Sequence, residues 1–176
     1  MSNIKKFDWS HVAQSPPSIS VRYLEEANIC LEQGAFRMSV VASACALNYG
    51  LDFVLRIRGL VNTKKVLTLH QIIGKIKQCV SEYPFTVLSQ IQLDKLETVN
   101  FYRNAIAHPE NFLILKRSSR INVYEMKPKM DSPKDKGEAY IASQYDLKKK
   151  LKPMAEESLD FAYNTIREAL EKITLP

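Results

Sequence analysis

The feature that most constrains this chain is a long segment that is apolar around most of a helical circumference. It covers about residues 35–58 and carries Val40, Val41, Ala44, Leu47, Leu51, Phe53, Val54 and Leu55. A helix with apolar side chains on so many sides needs neighbours around it, as the central helix of a bundle has. Gly50 lies inside this segment, where glycine costs helical stability, so it indicates a close crossing with another helix.

Four further segments are predicted as helices from their apolar spacing and boundary residues. They cover about residues 18–33, 67–82, 86–107 and 143–173. Gly34 and Gly59 are typical helix stops, and Pro109 disfavours helical geometry at His108. The sequence therefore predicts an all-α fold, an up-and-down bundle of four to five helices.

The chain is predicted to form one domain over residues 1–176, with a polar N-terminal arm at residues 1–16. Residues 109–142 are expected to form a basic loop or hairpin insertion. Two β-compatible runs, residues 111–116 and 120–126, flank a polar turn there. They predict a small β-hairpin near residues 111–126.

The net charge of +6 is concentrated in one stretch. Residues 113–152 hold eleven Lys and Arg against five Asp and Glu, whereas the two signs balance in the rest of the chain. A phosphate-binding surface would need such a concentration of positive charge. A solvated, lysine-rich insertion explains it equally well, so both interpretations stay open.

Cysteine usage and the start of the chain favour a cytoplasmic protein. Cys30, Cys45 and Cys79 form no C-x-x-C pair, and free thiols fit a reducing compartment. The first residues lack the apolar region of a secretory signal. We also expect charges to interrupt every hydrophobic stretch before it reaches membrane-spanning length, and hence no membrane partner. Dispersed histidines without acidic ligands nearby predict no metal site, and no cofactor is expected.

The most informative stretch is residues 101–108, Phe-Tyr-Arg-Asn-Ala-Ile-Ala-His. At about 100° per residue, five apolar residues of its helix should face the core: Leu88, Ile91, Val99, Tyr102 and Ile106. Asn100, Asn104 and His108 follow one flank at spacings of four, and Arg103 lies beside them. An arginine, an amide and an imidazole are thus expected together beside a buried face.

These residue types suit chemistry at a phosphate. The helix dipole favours a protonated His108, and an imidazole with a pKa near neutrality can donate or accept a proton. Arg103 offers a permanently charged planar fork for phosphate oxygens. Asn104 can hold a ribose hydroxyl or orient the imidazole. The plainer interpretation is a histidine that ends a helix next to a surface arginine.

The pattern Arg103-Asn104-x-x-x-His108 resembles the R-x4-6-H motif of the HEPN superfamily, including the polar residue preferred after the arginine. The resemblance covers about residues 18–110 and the last helix. It implies a helical dimer and a metal-independent ribonuclease of toxin–antitoxin, phage-defence or RNA-processing systems, although some members are inactive binding modules. Some toxin members have a modifiable tyrosine two residues after the histidine. This chain has Glu110 there, so that form of control is not expected.

We therefore expect an endoribonuclease with a composite site at a homodimer interface. Metal-free RNA cleavage needs both a base and an acid, and a two-fold axis would bring together two copies of His108. The expected catalytic residues are Arg103, Asn104 and His108. The expected RNA-binding residues are Arg103, Asn104, Asn100, Lys116, Arg117 and Arg120. Expected partners are RNA, a second copy and a cognate antitoxin or defence-system protein. The alternative is a catalytically inactive HEPN-like module that binds RNA or protein.

Overall fold

The structure, a computed structural model, describes residues 6–12, 14–82, 87–107, 112–115, 126–128, 139–140 and 144–173. These residues form five helices and three short strands. The helices are α1 (Ser18–Glu32), α2 (Phe36–Ile57), α3 (Leu69–Glu82), α4 (Gln90–Ala107) and α5 (Gln144–Glu171). The strands are β1 (Phe112–Leu115), β2 (Met126–Pro128) and β3 (Ala139–Tyr140). The all-α bundle predicted from the sequence is confirmed.

Helix α2 is the central element of the bundle. It packs most extensively against α1 and α5, and it also contacts α3 and α4. Leu47, Leu51, Val54 and Leu55 are completely buried along it. Burying each such side chain contributes about 1.5–3 kcal/mol relative to leaving it in water. The predicted central helix is therefore the one around which the core forms.

The crossing of α2 and α5 is closest at Gly50, as the sequence indicated. A Cβ atom built on Gly50 would lie 2.8 Å from Cγ1 and 2.9 Å from Cδ1 of Ile166. Ile166 is itself completely buried. A hydrogen at this one position lets the two backbones approach, which explains a glycine in the middle of a 22-residue helix.

Among the described helices, α2 comes nearest to a membrane-spanning segment, although Arg37 and Asp52 interrupt its apolar run. By length and composition α2 could cross a membrane. However, 67% of its apolar window is buried inside the bundle. The other helices already supply the apolar surroundings that a lipid bilayer would provide, as they do for a core helix.

The N-terminal arm is docked on the bundle. The Tyr163 hydroxyl of α5 donates to the Asp8 carbonyl at 2.9 Å and accepts from the Asp8 amide at 3.1 Å. The rings of Phe7 and Trp9 lie 5.1 and 5.2 Å from the Tyr163 ring. Trp9 therefore packs on α5.

A small antiparallel sheet lies in the connection between α4 and α5, with the strand order β2-β1-β3. Strand β1 coincides with the first run of the predicted hairpin. It pairs with Met126–Pro128, so the described second strand begins only at the last residue of the second predicted run. The third strand, β3, had no sequence prediction.

Gly50→Ala tests the close crossing. We expect it to lower the free energy of unfolding by about 1–3 kcal/mol because Ile166 must move. The matched control is Gly74→Ala in α3, where no atom lies within 4 Å of an added Cβ. That change should stabilise the protein by roughly 0.5–1 kcal/mol. Urea unfolding of both variants measures the difference.

The double variant Gly50→Ala with Ile166→Val removes one of the two closest atoms. If Ile166 clashes with the added Cβ, Ile166→Val should lower the free energy of unfolding less in the Gly50→Ala background than in the wild type. Additive costs would contradict the proposed steric cause.

Candidate functional site

Helix α4 carries the predicted site residues Arg103 and Asn104, and its buried residues follow a line that winds around the helix. The buried residues occur at every third position: Leu93, Leu96, Val99 and Tyr102. Since three residues fall short of a full helical turn, this line winds around the helix. The wheel prediction is correct for Val99 and Tyr102 but wrong for Ile91, which is 71% exposed. At its last turn, α4 therefore turns Arg103 away from the core.

Arg103 and Asn104 form a pair at the end of α4. Arg103 is exposed and Asn104 is half-buried. Nη1 of Arg103 donates to Oδ1 of Asn104 at 2.8 Å. Because arginine can only donate, this bond directs the Asn104 carbonyl oxygen toward the guanidinium and leaves the amide N–H groups for another acceptor. Helix α4 ends at Ala107, and the predicted catalytic His108 lies outside the described residues.

The rest of the predicted flank lies beside this pair. Asn100 is half-buried one turn before Asn104. Glu97, a further step back, forms an ion pair with Lys77 of α3. This pairing offsets a carboxylate that would otherwise repel an approaching phosphate, although an exposed pair contributes little to stability.

The three other predicted RNA-binding residues, Lys116, Arg117 and Arg120, lie outside the described residues. So do most of the residues that hold the excess positive charge. The two interpretations of that charge therefore both stay predictions.

A neighbouring surface of α1 and α2 adds residues that the sequence did not single out. Tyr23 of α1 stacks on Tyr49 of α2, with ring centroids 5.7 Å apart and planes inclined by 10°. Both rings are half-buried. Cys45 lies one turn before Tyr49 on α2. The four-residue spacing of Cys45 and Tyr49 could have marked a partly exposed stripe on a helix that looked apolar on most sides.

Electrostatics connect Arg103 to this surface. Burial raises the pKa of the Cys45 thiol; the nearby Arg103 charge lowers it and Glu26 raises it. The charges of Arg103 and Glu26 therefore both reach Cys45, from α4 and from α1. The raised pKa keeps this thiol protonated at neutral pH, which argues against a nucleophilic role for Cys45.

Arg56 and Arg58, at the end of α2, form hydrogen bonds within the chain. Arg56 donates to the Asp52 carboxylate through Nε at 2.6 Å and also to the backbone carbonyls of Thr63 and Lys65. Asp52 in turn accepts from the Leu67 amide at 3.1 Å. These hydrogen bonds hold the α2–α3 connection against α2. Arg58 donates to the Lys172 carbonyl at 3.1 Å, near the end of α5.

A groove of about 360 Å³ lies between α4 and α5, away from Arg103 and Asn104. Its lining includes Glu157, Asp160 and Glu168, with Lys95 as the one basic residue. This excess of negative charge disfavours a phosphate. The groove therefore does not serve as the predicted RNA site.

Among the residues that the structure describes, no group of three or more His, Cys, Asp or Glu side chains could hold a metal ion. The three cysteines are free; Cys79 is buried, while Cys30 and Cys45 are half-buried.

Comparison of the chain with protein-family models, with curated proteins and with solved structures found no match in any of the three. The site is therefore defined by its own geometry: an exposed arginine held by a half-buried asparagine at the end of a bundle helix.

Paired stability measurements separate this site from the structural polar cluster. Arg103→Ala should change the free energy of unfolding by no more than about 0.5 kcal/mol, as exposed side chains generally do. Asp52→Ala should lower it by about 1–3 kcal/mol because the Leu67 amide and Arg56 lose their acceptor. Asp94→Ala, an exposed aspartate on α4, is the matched control and should have little effect. A large loss of stability in Arg103→Ala would indicate a structural role.

Proposed function

We propose that this chain is a metal-independent endoribonuclease that acts as a homodimer, with a composite site of Arg103, Asn104 and His108 from both copies. We place it in a toxin–antitoxin or phage-defence system in the cytoplasm. The observation that carries the proposal is the pair of Arg103 and Asn104. A permanently charged guanidinium is exposed at the end of a packed helix and held in place by its neighbour.

Arg103 has the properties that a phosphate-binding group needs. One of its five N–H donors bonds to Asn104, so the others stay available for phosphate oxygens. The planar fork matches two oxygens of a phosphate and keeps its charge at any pH of interest. As negative charge builds on the phosphorane, a fixed positive charge stabilises the transition state more than the ground state.

Asn104 has a supporting role in the proposed reaction. Its carbonyl oxygen is engaged by Arg103, so its amide group is the part that remains to donate hydrogen bonds. The ribose oxygen or a phosphate oxygen is a suitable acceptor. Asn100 lies one turn earlier on the same flank, at a position to extend this contact to the next nucleotide.

His108 supplies the proton transfers in this proposal. RNA cleavage without a metal begins when a base removes the proton from the ribose 2′-hydroxyl, which attacks the adjacent phosphorus. An acid then protonates the departing 5′-oxygen. One His108 acts as base and its copy in the second chain as acid. The products are a 2′,3′-cyclic phosphate and a 5′-hydroxyl end.

The test is cleavage of single-stranded RNA in EDTA by the wild type, Arg103→Ala and His108→Ala. We expect wild-type cleavage to resist EDTA and to fall at least 100-fold in each variant. General acid–base catalysis by His108 contributes typically 10²–10⁴-fold, and loss of one electrostatic contact to the transition state costs about 10²–10³-fold. His70→Ala and Lys75→Ala, both exposed on α3, are the matched controls and should cleave like the wild type. Circular dichroism verifies that each variant is folded.

Substrate chemistry and oligomeric state complete this test. An oligonucleotide of the same sequence with 2′-deoxyribose should bind but not be cut, because the attacking hydroxyl is absent. Sedimentation should show a dimer. Cleavage that survives both Arg103→Ala and His108→Ala would refute the site, whereas binding of RNA without cleavage would favour the inactive binding module.

A further inference from the structure

We propose that Tyr23 and Tyr49 form a base-stacking subsite for single-stranded RNA, placed so that a nucleotide whose base stacks on these rings directs its phosphate toward Arg103. The inference rests on the proposed ribonuclease function and names the part of the substrate that the arginine does not bind.

Tyr23 and Tyr49 together offer an aromatic surface for stacking. The rings come from different helices, lie nearly parallel, and are half-buried rather than enclosed in the core. Two packed rings lose little further conformational freedom when a third flat ring is added. Stacking on aromatic side chains is a common way for proteins to hold unpaired bases, whatever their identity.

Packing and charge together relate the tyrosines to Arg103. Tyr102, the residue before Arg103, shares a buried cluster with Val40 of α2, so the end of α4 packs beside the first turns of α2. Cys45 follows Val40 on α2 and precedes Tyr49 by one turn; burial raises its pKa and the Arg103 charge lowers it. Cys45, burial and Tyr49 raise the pKa of Tyr23.

Charges of opposite sign act on Cys45 from two helices. Arg103 contributes positive charge from α4, and Glu26 contributes negative charge from α1. This opposition orients a nucleotide: the phosphate is attracted by Arg103 and repelled by Glu26. The Glu26 carboxylate can accept hydrogen bonds from the N–H groups on a base edge.

A second copy of the chain could cover the tyrosines in place of RNA. The exposed apolar residues indicate that such a copy would bind at a different part of the α1–α2 surface. Met38 and Ile29 are 53% and 42% exposed. They lie where α2 begins and α1 ends, toward the α1–α2 turn. The tyrosines lie further from this turn: Tyr23 is six residues before Ile29 on α1, and Tyr49 is eleven residues after Met38 on α2. A polar, aromatic surface suits a base better than an apolar contact does.

The experiment compares two fluorescent strands of roughly eight nucleotides, a typical length for a single-stranded site. Both carry 2′-fluoro sugars, which cannot attack the phosphate. One strand has bases and the other is abasic at its central positions, so both have the same phosphate charge. Anisotropy titrations give the ratio of the two dissociation constants for each variant.

We expect the wild type to bind the base-bearing strand roughly 5- to 150-fold more tightly than the abasic strand. The double variant Tyr23→Leu with Tyr49→Leu should bring this ratio close to one. Tyr23→Phe with Tyr49→Phe should restore it, since the rings remain. Arg103→Ala should instead weaken binding of both strands, because it removes a phosphate contact. Thermal unfolding verifies that the leucine variant is folded.

The outcomes separate this inference from the ribonuclease proposal. A wild-type ratio of one, or a leucine variant that keeps the wild-type ratio, overturns the stacking subsite even where RNA is cleaved. A ratio that depends on the tyrosine rings supports the subsite even where no RNA is cleaved. Sedimentation measures the oligomeric state of each variant. A dimer that dissociates in the leucine variant, as well as in Met38→Asp, assigns the tyrosines to a contact between copies and overturns the proposal.

Discussion

The close contact between Gly50 of α2 and Ile166 of α5 is the constraint on which the bundle depends. Helix α2 contacts all four other helices, so its distance from α5 decides how the remaining helices can pack. A glycine at the crossing removes the side chain that would hold the two backbones apart. With α5 on one side, α1 and α4 pack on the neighbouring sides, and only one stripe of α2 reaches the surface. Cys45, Asn48 and Tyr49 lie on this partly exposed stripe, whereas Ser39 and Ser43 are polar residues that α2 buries completely.

Two groups of residues along this side of α2 differ in the contacts that they make. Near the end of α2, Asp52 and Arg56 satisfy backbone groups of the α2–α3 connection, so their charges serve the fold. One to two turns earlier, Cys45 and Tyr49 are near Tyr23 of α1 and Arg103 of α4, and no described hydrogen bond joins these two side chains to a backbone group. Three arginines show this difference. Arg56 and Arg58 donate hydrogen bonds to backbone carbonyls of the chain. Among its described contacts, Arg103 is hydrogen-bonded only to its neighbour Asn104. A charged group kept exposed on a fixed helix end is better suited to an external ligand than one engaged in the fold.

Much of this architecture could be predicted from the sequence because it depends on local patterns. The central helix and the crossing at Gly50 follow from apolar spacing and a glycine. Ile91 shows where such patterns fail: a wheel assumes that one side of a straight helix stays buried, whereas α4 is buried along a line that winds from Leu93 to Tyr102. The stack of Tyr23 on Tyr49 could not be predicted because it depends on how two helices are aligned. For the site, sequence reasoning identified Arg103 and Asn104 as neighbours on one flank but gave no indication that Asn104 would be the acceptor for Arg103.

The proposed dimer has a consequence for how RNA binding and assembly depend on each other. Bringing two copies of Arg103 to one phosphate places two permanent positive charges close together, and they repel in the absence of an anion. Nothing within the Arg103–Asn104 pair offsets this repulsion, because Asn104 is neutral. An RNA phosphate between the two guanidinium groups would replace repulsion with two attractive contacts. A ligand that binds the dimer more tightly than the monomer shifts the equilibrium toward the dimer. In the proposed mechanism, substrate and second subunit therefore stabilise each other, and the complete set of catalytic groups is assembled most fully when RNA is present.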